Sequence, residues 1–280
     1  MVEALQPREE QWHNPANGHK IFSRIWDPSP ARAWLILVHG FGEHGGRYER
    51  FAQAIASHGV AVASSDLWGH GRSGGQRGDI EQFEEYLRDL QALIHRCLAA
   101  SESAAYAVFG HSFGGLLAAR WAQRRPAGLR SVILQSPLFE VGFPLPRWKE
   151  AMVNRGARWC PRFSLGLGLD PAWLSHDPQI ARDYQRDPLV HHRVTLRAAA
   201  ALQTSIRQAL DDARQIRPPT LLLYGAEDRV VSIAACQRFY ERLTCDKRVV
   251  SFPACYHELH HEAAQPTVVE EVVHWIQDHA

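Results

Sequence analysis

The stretch Gly110-His111-Ser112-Phe113-Gly114 decides the fold because of the residues around it. It follows an apolar run at residues 105–109 and precedes a helical run at residues 116–121. A serine between a buried strand and a helix sits on a strained turn that projects its hydroxyl into a cleft. The flanking glycines give this turn room, since a Cβ at either position would crowd the neighbouring backbone. The pattern therefore predicts a nucleophile at Ser112.

Strands and helices alternate along the chain on both sides of this turn. Residues 20–26 predict an early strand that pairs in a hairpin with the segment before Asn14. Apolar runs predict strands at 33–38, 60–63, 131–135, 220–224 and 248–252, and helical periodicity covers 46–57, 80–100 and 262–277. Continuous apolar strands separated by helices are typical of a parallel sheet with helices on both faces. The sequence therefore predicts an α/β fold with a mostly parallel central sheet.

The alternation stops between residues 137 and 217. This segment is rich in aromatic residues, proline and glycine, and it closes with an amphipathic helix at about residues 196–210. We expect an inserted, mainly helical cap here, with residues 1–136 and 218–280 forming the core. Most of its aromatic side chains are expected to pack within the cap, and two or three to line an acyl pocket: Phe139, Phe143, Trp148, Trp159, Phe163 and Trp173.

The composition excludes several classes of function. The 280 residues are 45% hydrophobic and 22% charged with a net charge of +1, so we expect no nucleic-acid partner. The first ten residues lack a signal-peptide pattern, and no apolar stretch is long enough to span a membrane. The 5 irregularly spaced cysteines indicate reduced thiols and a cytoplasmic protein. Arginine supplies nearly all of the 31 basic residues, which indicates a GC-rich, bacterial source; the oligomeric state stays open.

Two late strand-end loops supply partners for the serine. Asp228 follows one of these strands and His257 follows the next. Because carboxyl ends of parallel strands meet at one edge of a sheet, both residues and Ser112 are expected to share a cleft. There the histidine takes the proton of the serine, and the aspartate orients the histidine. Neighbouring residues compete for two of these roles: Glu227 with Asp228, and His260 and His261 with His257.

A tetrahedral oxyanion needs two backbone donors. One is expected from the N–H group of Phe113, the residue after the nucleophile. The other is expected from the glycine-rich loop at residues 39–46, where we choose the N–H group of Phe41. The alternative is that this loop is a plain glycine-rich turn.

Five blocks in order resemble the monoacylglycerol lipase and lysophospholipase family of the α/β-hydrolases. They are HGFGEH at 39–44 with Arg47-Tyr48, Asp66 with GHGRS at 69–73, GHSFGG at 110–115, DPLVH at 187–191 and YHEL at 256–259. The resemblance covers roughly residues 20–278 and implies an esterase of monoacylglycerols or related single-chain lipid esters, with no cofactor and no metal. It places Ser112, Asp228 and His257 on the family's triad, and Phe41 and Phe113 on its oxyanion hole.

The resemblance also implies a polar end of the substrate pocket. In the family this end uses residues after the H-G-x-G turn, which correspond to Glu43 and Arg47, with His111 nearby. The alternative is that Glu43 and Arg47 only support the start of a helix. Phe41 is expected to narrow the site, and transient contact of the aromatic cap with a membrane surface fits a lipid substrate.

Three other functions compete with this one. His257-Glu258-Leu259-His260-His261 spells the H-E-x-x-H signature of zinc proteases, but it follows a strand and a Pro253 loop instead of lying inside a helix. A non-enzymatic receptor of this fold usually lacks a triad member, whereas all three are present here. A general short- to medium-chain carboxylesterase is the main alternative within enzymes, and Ser112 argues against epoxide hydrolases, which use an aspartate nucleophile.

Overall fold

The structure, a computed structural model, describes residues 5–29, 31, 33–99, 101, 105–143, 153 and 155–280. Its strands are β1 (Arg8–His13), β2 (Lys20–Trp26), β3 (Ala33–Val38), β4 (Val60–Asp66), β5 (Tyr106–His111), β6 (Leu129–Gln135), β7 (Ser164–Gly166), β8 (Arg193–Thr195), β9 (Thr220–Gly225) and β10 (Lys247–Phe252). Among these residues, eight strands form one sheet in the order β1-β2-β4-β3-β5-β6-β9-β10. The strands β1, β2 and β4 pair antiparallel, and the other neighbours pair in parallel. This confirms the predicted mostly parallel sheet.

Helices cover both faces of the sheet. Five of them do so: α1 (Glu49–Ala56), α2 (Phe83–Ala99), α3 (Phe113–Gln123), α6 (Ile233–Arg242) and α7 (Gln265–Asp278). Two more, α4 (Pro178–Arg186) and α5 (Leu196–Asp211), lie in the segment between β6 and β9. Alternate residues of β3 point to opposite faces. Leu35 and Leu37 pack with α1 and α7, whereas Ile36 and Val38 pack with α2, α3 and α6. The continuous apolar runs of the sequence arise because both faces of each central strand are buried.

Three helices begin later than the sequence predicts, and one of them is α2, which starts at Phe83 and not at residue 80. The region predicted as one helix from residue 46 starts as a 3-10 turn, Gly45–Tyr48, which His44 caps by accepting a hydrogen bond from the Gly46 N–H group. The last helix starts at Gln265 and not near Glu262, because Glu262 has an extended backbone at the end of a separate 3-10 turn at residues 259–261.

The chain leaves the sheet between β6 and β9. The described residues of this segment contain α4, α5 and a small antiparallel pair, β7 with β8. Trp148 lies outside the described residues. Phe139 is buried against Phe239 of α6, with ring centroids 4.1 Å apart. Trp159 and Phe163 are exceptions to the expected internal packing, because they are 81% and 60% exposed.

No helix within the described residues combines the length and the apolar character needed to cross a membrane.

Candidate active site

Ser112 lies on the turn between β5 and α3. Its φ of 53° and ψ of −116° are values that residues with a side chain rarely adopt. The Ser112 carbonyl oxygen accepts hydrogen bonds from the N–H groups of Gly115 (3.0 Å) and Leu138 (2.9 Å), and its N–H group donates to the Gln135 carbonyl oxygen (3.0 Å). These hydrogen bonds hold the backbone of the strained turn in place. At this turn, Ser112 lines a cavity at the carboxyl edge of the sheet.

Glycines are required on both sides of this serine. A Cβ atom on Gly110 would lie 2.2 Å from the Gly114 carbonyl oxygen. A Cβ atom on Gly114 would lie 2.1 Å from the Val38 carbonyl oxygen on β3. Both distances are far below a van der Waals contact, so the two glycines let the elbow pack against the sheet.

Asp228 and His257 form a hydrogen-bonded pair. Asp228 Oδ2 lies 2.8 Å from His257 Nδ1, and Asp228 Oδ1 accepts from the N–H groups of Val230 (2.8 Å) and Val231 (3.1 Å). An ionised carboxylate only accepts hydrogen bonds, so this geometry assigns the proton of the neutral ring to Nδ1 and leaves Nε2 free to accept one. Ser112 and His257 line the same cavity.

Each member of the pair favours the charged form of the other. Burial penalises the Asp228 carboxylate, but the charge and hydrogen bond of His257 lower the pKa of Asp228 below its ordinary value. Burial also penalises protonated His257, and here the charge and hydrogen bond of Asp228 prevail and raise the pKa of His257. A buried, negatively charged acid therefore stabilises the imidazolium that forms when the ring takes a proton.

The loop that carries Phe41 is held from two sides. His39 Nδ1 lies 2.7 Å from the Gly40 carbonyl oxygen, and His39 Nε2 accepts from the Leu67 N–H group at 2.9 Å. In the described part of the chain, the N–H groups of Phe41 and Phe113 have no hydrogen-bond partner. Phe113 is the first residue of α3, where a helix leaves such donors unpaired. Both N–H groups are thus available for an oxyanion.

Glu43, Arg47 and Glu258 form a buried ion cluster beside this loop. Arg47 binds Glu258 at two points, 2.6 Å and 2.7 Å, and also contacts Glu43 Oε2. Glu43 Oε1 accepts from the Gly40 N–H group and from the Tyr48 hydroxyl, both at 2.6 Å. Burial disfavours both carboxylates, but the charge of Arg47 lowers the pKa of each. These contacts favour a supporting role for Glu43 and Arg47.

Sequence reasoning missed Gln135, which joins two histidines behind the nucleophile. Its amide nitrogen lies 2.9 Å from His111 Nδ1 and 2.8 Å from His260 Nδ1. Because the amide donates, both rings carry their own proton on Nε2. Burial, together with the nearby His257, lowers the pKa of His111 to about 3, so this cavity-lining ring is a neutral hydrogen-bond donor. No motif marks Gln135, which is simply the last residue of β6.

The cavity above Ser112 has a volume of about 120 Å³. Its apolar wall comes from Phe41, from the segment between β6 and β9 and from the loop after β9, and the residues of these last two parts are Leu138, Val141, Phe143, Leu167, Leu169, Leu174 and Val230. Its polar end contains Glu43, Glu258 and the cap residue Tyr184, which the sequence analysis also missed. The buried Tyr184 hydroxyl has no hydrogen-bond partner among the described residues, and the Arg47 guanidinium lies 4.8 Å from its ring centroid. The one signal in the sequence that could have marked Tyr184 as a site residue is its position three residues before the DPLVH block.

The H-E-x-x-H residues do not form the arrangement of a zinc protease. His257 directs Nδ1 to Asp228, and residues 259–261 form a 3-10 turn instead of the middle of an α-helix. Potential ligand atoms of Glu258, His260 and His261 lie within 4.8 Å of one another. However, both oxygens of Glu258 bind Arg47, whose positive charge opposes a metal cation at this point.

Comparisons with known proteins agree with this fold. A profile of the family described as serine aminopeptidase, S33, matches residues 29–264. The monoacylglycerol lipase of Mycolicibacterium smegmatis is 28% identical over 275 residues, which are 97% of this chain and 98% of that protein. The crystal structure of the Paleococcus ferrophilus monoacylglycerol lipase superposes with a TM-score of 0.83 at 29% identity, covering 98% of this chain and 100% of that chain.

A longer protein contains the same unit. An uncharacterized abhydrolase domain-containing protein of Dictyostelium discoideum is 32% identical over 262 residues, or 91% of this chain. This chain spans only 27% of the length of that protein.

Proposed function

This chain belongs to the serine aminopeptidase S33 family and is a serine ester hydrolase of the α/β-hydrolase fold, and we propose that it cleaves monoacylglycerols to fatty acid and glycerol. The single observation that carries the substrate is the lining of the cavity above Ser112, which combines an apolar wall with the polar residues Glu43, Glu258 and Tyr184. A monoacylglycerol has the same division, with one acyl chain and two free hydroxyl groups. The full-length relatives named monoacylglycerol lipases support this choice.

The proposed reaction uses Ser112, His257 and Asp228 in two steps. The Ser112 hydroxyl attacks the ester carbonyl carbon while its proton moves to His257 Nε2, and Asp228 stabilises the resulting imidazolium. The N–H groups of Phe41 and Phe113 bind the oxyanion, which is where preorganised donors contribute most. His257 then gives its proton to the departing glycerol oxygen. Water attacks the acyl-enzyme by the same route and releases the fatty acid.

Within this proposal, Tyr184 and His111 bind the glycerol hydroxyls. Tyr184 offers a buried hydroxyl that has no partner in the described ranges of the chain, and neutral His111 lines the same cavity. Glu43 and Arg47 hold these groups in place, and Glu43 and Glu258 also line the cavity. A buried hydroxyl without a hydrogen-bond partner costs free energy. The site therefore favours a substrate whose alcohol part forms a hydrogen bond with the Tyr184 hydroxyl.

A substrate panel tests the proposal. It compares monoacylglycerols of graded chain length with a lysophospholipid, a triacylglycerol, p-nitrophenyl butyrate and a prolyl p-nitroanilide. We expect the highest kcat/KM for a monoacylglycerol, and the 120 Å³ cavity makes chain length the informative variable. Activity confined to p-nitrophenyl butyrate would identify a general carboxylesterase, a lysophospholipid preference would identify a lysophospholipase, and anilide cleavage would identify an aminopeptidase.

Tyr184→Phe sharpens this test. The substitution keeps the ring that faces Arg47 and removes only the hydroxyl. We expect kcat/KM for the monoacylglycerol to fall about tenfold, the value of one hydrogen bond, with p-nitrophenyl butyrate unaffected. An equal effect on both esters would contradict glycerol binding by Tyr184.

The proposal includes transient contact with an anionic membrane surface through residues 137–217, the proposed cap. Trp159 and Phe163 are exposed there, beside the exposed residues Arg155, Arg158 and Arg162. We call these five residues the cap patch. Aromatic rings enter the lipid interface, and each arginine near an anionic surface contributes about 1 kcal/mol.

Co-sedimentation with vesicles tests the cap patch. We expect more binding to vesicles containing phosphatidylserine than to pure phosphatidylcholine, and loss of the difference in 0.5 M salt. The double variant Trp159→Ala with Phe163→Ala should lose binding. Val249→Ala, which removes an exposed apolar side chain of β10, should not. Equal binding by the double variant would contradict the contact.

A cytoplasmic location in a bacterium also stays part of the proposal. The sparse, unpaired cysteines and the arginine-rich composition support it.

A further inference from the structure

The loop that carries His257 is hydrogen-bonded to a short segment that follows β7. The carbonyl oxygen of Leu174 accepts from the Glu258 N–H group at 2.8 Å. The hydroxyl of Ser175 donates to the carbonyl oxygen of His261 at 3.0 Å. Residues 174–176 therefore lie against the catalytic-histidine loop, and we call them the cap staple.

The cap staple also reaches the other side of His257 through Glu262. Glu262 Oε1 accepts from the Tyr256 N–H group at 2.9 Å, from the His176 N–H group at 3.1 Å and from His176 Nδ1 at 3.0 Å. The rings of His176 and Tyr256 stack with centroids 3.7 Å apart. The Glu262 side chain is only 4% exposed, so this carboxylate is a buried junction with three donors.

Both chain neighbours of His257 are thus tied to the same segment. Glu258 is tied directly through the backbone of Leu174, and Tyr256 is tied through Glu262 and His176. The His257 ring must keep its alignment to Asp228 and Ser112, and catalytic geometry tolerates only fractions of an ångström. A segment fixed on both flanks of the histidine controls that alignment.

We propose that His176 is a positioning residue for catalysis: through Glu262 it holds the His257 loop, so the triad is aligned only while the cap staple is docked. The inference goes beyond the proposed function, because it holds for any ester that the site accepts. It also differs from a purely structural role, since it assigns an effect on turnover and on the His257–Asp228 hydrogen bond.

Two substitutions at His176 separate these roles. His176→Phe keeps the ring that stacks on Tyr256 and removes the Nδ1 donor, whereas His176→Asn keeps a donor at nearly the same place. His176 is 41% exposed, so both substitutions are expected to fold. Gln179→Ala is the matched control, because the Gln179 side chain is exposed and bonds only to neighbours on its own helix.

The measurements are steady-state kinetics with p-nitrophenyl butyrate and the low-field proton resonance of the hydrogen bond between His257 Nδ1 and Asp228. We expect His176→Phe to lower kcat about tenfold with KM within twofold, and to shift or broaden that resonance. His176→Asn should recover most of kcat, and Gln179→Ala should match the wild type. Neither readout needs a monoacylglycerol, so failure here is distinguishable from failure of the proposed function.

Wild-type kcat and an unchanged resonance in His176→Phe would overturn the proposal, whatever the melting temperature does. A lower melting temperature with normal turnover would show a structural role alone. If His176→Phe does not fold, Ser175→Ala replaces it in the same two measurements, since it deletes a single hydroxyl of the staple. A normal kcat and resonance in Ser175→Ala would then overturn the proposal equally.

Discussion

Glu43 Oε1 accepts a hydrogen bond of 2.6 Å from the backbone N–H group of Gly40, the residue directly before Phe41. This contact ties an acidic side chain to the loop that supplies one proposed oxyanion donor. The same carboxylate is bound by Arg47 and by the Tyr48 hydroxyl. The ion cluster thus supports the backbone of the loop at residues 39–46, which carries the proposed oxyanion donor Phe41.

Glu43→Gln should therefore destabilise the protein and slow turnover. At pH 7 the change removes one charge of a buried cluster, for which we expect a loss of about 3 kcal/mol of unfolding free energy. Burial opposes the charge of Glu43, but Arg47 holds its pKa well below the ordinary value of 4.5. The stabilisation is then present above pH 4.5 and is lost as the pH falls toward the folded-state pKa. Urea unfolding at pH 7, 5 and 4 measures this, and a stability gap that does not narrow at pH 4 would contradict it.

The pH dependence of kcat/KM should report His257. Because His257 acts as a base in its neutral form and Asp228 raises its pKa above 6.5, kcat/KM should fall as the pH drops through a midpoint above 6.5. In Asp228→Asn the carboxylate charge that raises the pKa of His257 is gone, so the effect of burial, which lowers this pKa, prevails. We expect the midpoint to move to lower pH and the plateau to fall about 10⁴-fold.

Asp246→Asn is the control for that measurement. Asp246 has a side chain that is 69% exposed, and the partner of its carboxylate among the residues that the structure describes is the ring of His279. The substitution removes one negative charge, as Asp228→Asn does, but at the surface. We assign the fall of kcat/KM at low pH to protonation of His257 beside Asp228. A midpoint that does not move in Asp228→Asn, or that moves equally in Asp228→Asn and Asp246→Asn, would contradict this assignment.

Ser112 should be essential for turnover yet unfavourable for stability. Ser112→Ala keeps the Cβ atom at a φ of 53°, so we expect nearly unchanged stability and a loss of at least about 10⁴-fold in kcat. Ser112→Gly removes the Cβ atom that makes this conformation costly, and should raise the unfolding free energy by about 1 kcal/mol or more. Labelling with a fluorophosphonate and thermal unfolding check both statements. Labelling of Ser112→Ala, or equal stability of the two variants, would contradict them.

The sequence predicts the sheet and the placement of the triad candidates because one rule governs both. Buried parallel strands appear as apolar runs, and their carboxyl ends meet at one edge, so Ser112, Asp228 and His257 could be placed in a common cleft. The structure brings two of these side chains into contact, since Asp228 Oδ2 lies 2.8 Å from His257 Nδ1. The catalytic roles themselves stay predictions for the experiments above.

The supporting residues could not be predicted, because their roles arise from contacts between distant segments. Gln135 and His260 are 125 residues apart in the chain, and Arg47 and Glu258 are 211 apart. Neither pair has a local pattern that indicates its contact. His176 reaches Glu262 across 86 residues, from a cap whose sequence carries little periodicity. A single sequence indicates which residues follow the carboxyl ends of the strands, but it does not indicate which side chains contact each other there.

Phe41 should limit the length of the acyl chain. Its ring lines the cavity and is held edge-on by His70, Phe113 and His191, with centroids 4.9, 5.4 and 5.7 Å away. Phe41→Ala keeps the backbone N–H group for the oxyanion and opens the space of a ring. We expect the ratio of kcat/KM for p-nitrophenyl laurate over p-nitrophenyl butyrate to rise about tenfold, at a cost of about 3 kcal/mol in stability.

A matched control must lose stability without opening the cavity. Phe139→Ala removes a ring of the same size, which is buried against Phe239 and does not line the cavity. Its loss of stability should be at least as large, because the Phe139 ring is fully buried whereas the Phe41 ring is partly buried. The laurate-to-butyrate ratio should stay at the wild-type value in Phe139→Ala and rise only in Phe41→Ala. An equal ratio in the two variants would mean that general loosening, and not the Phe41 ring, sets the chain-length preference.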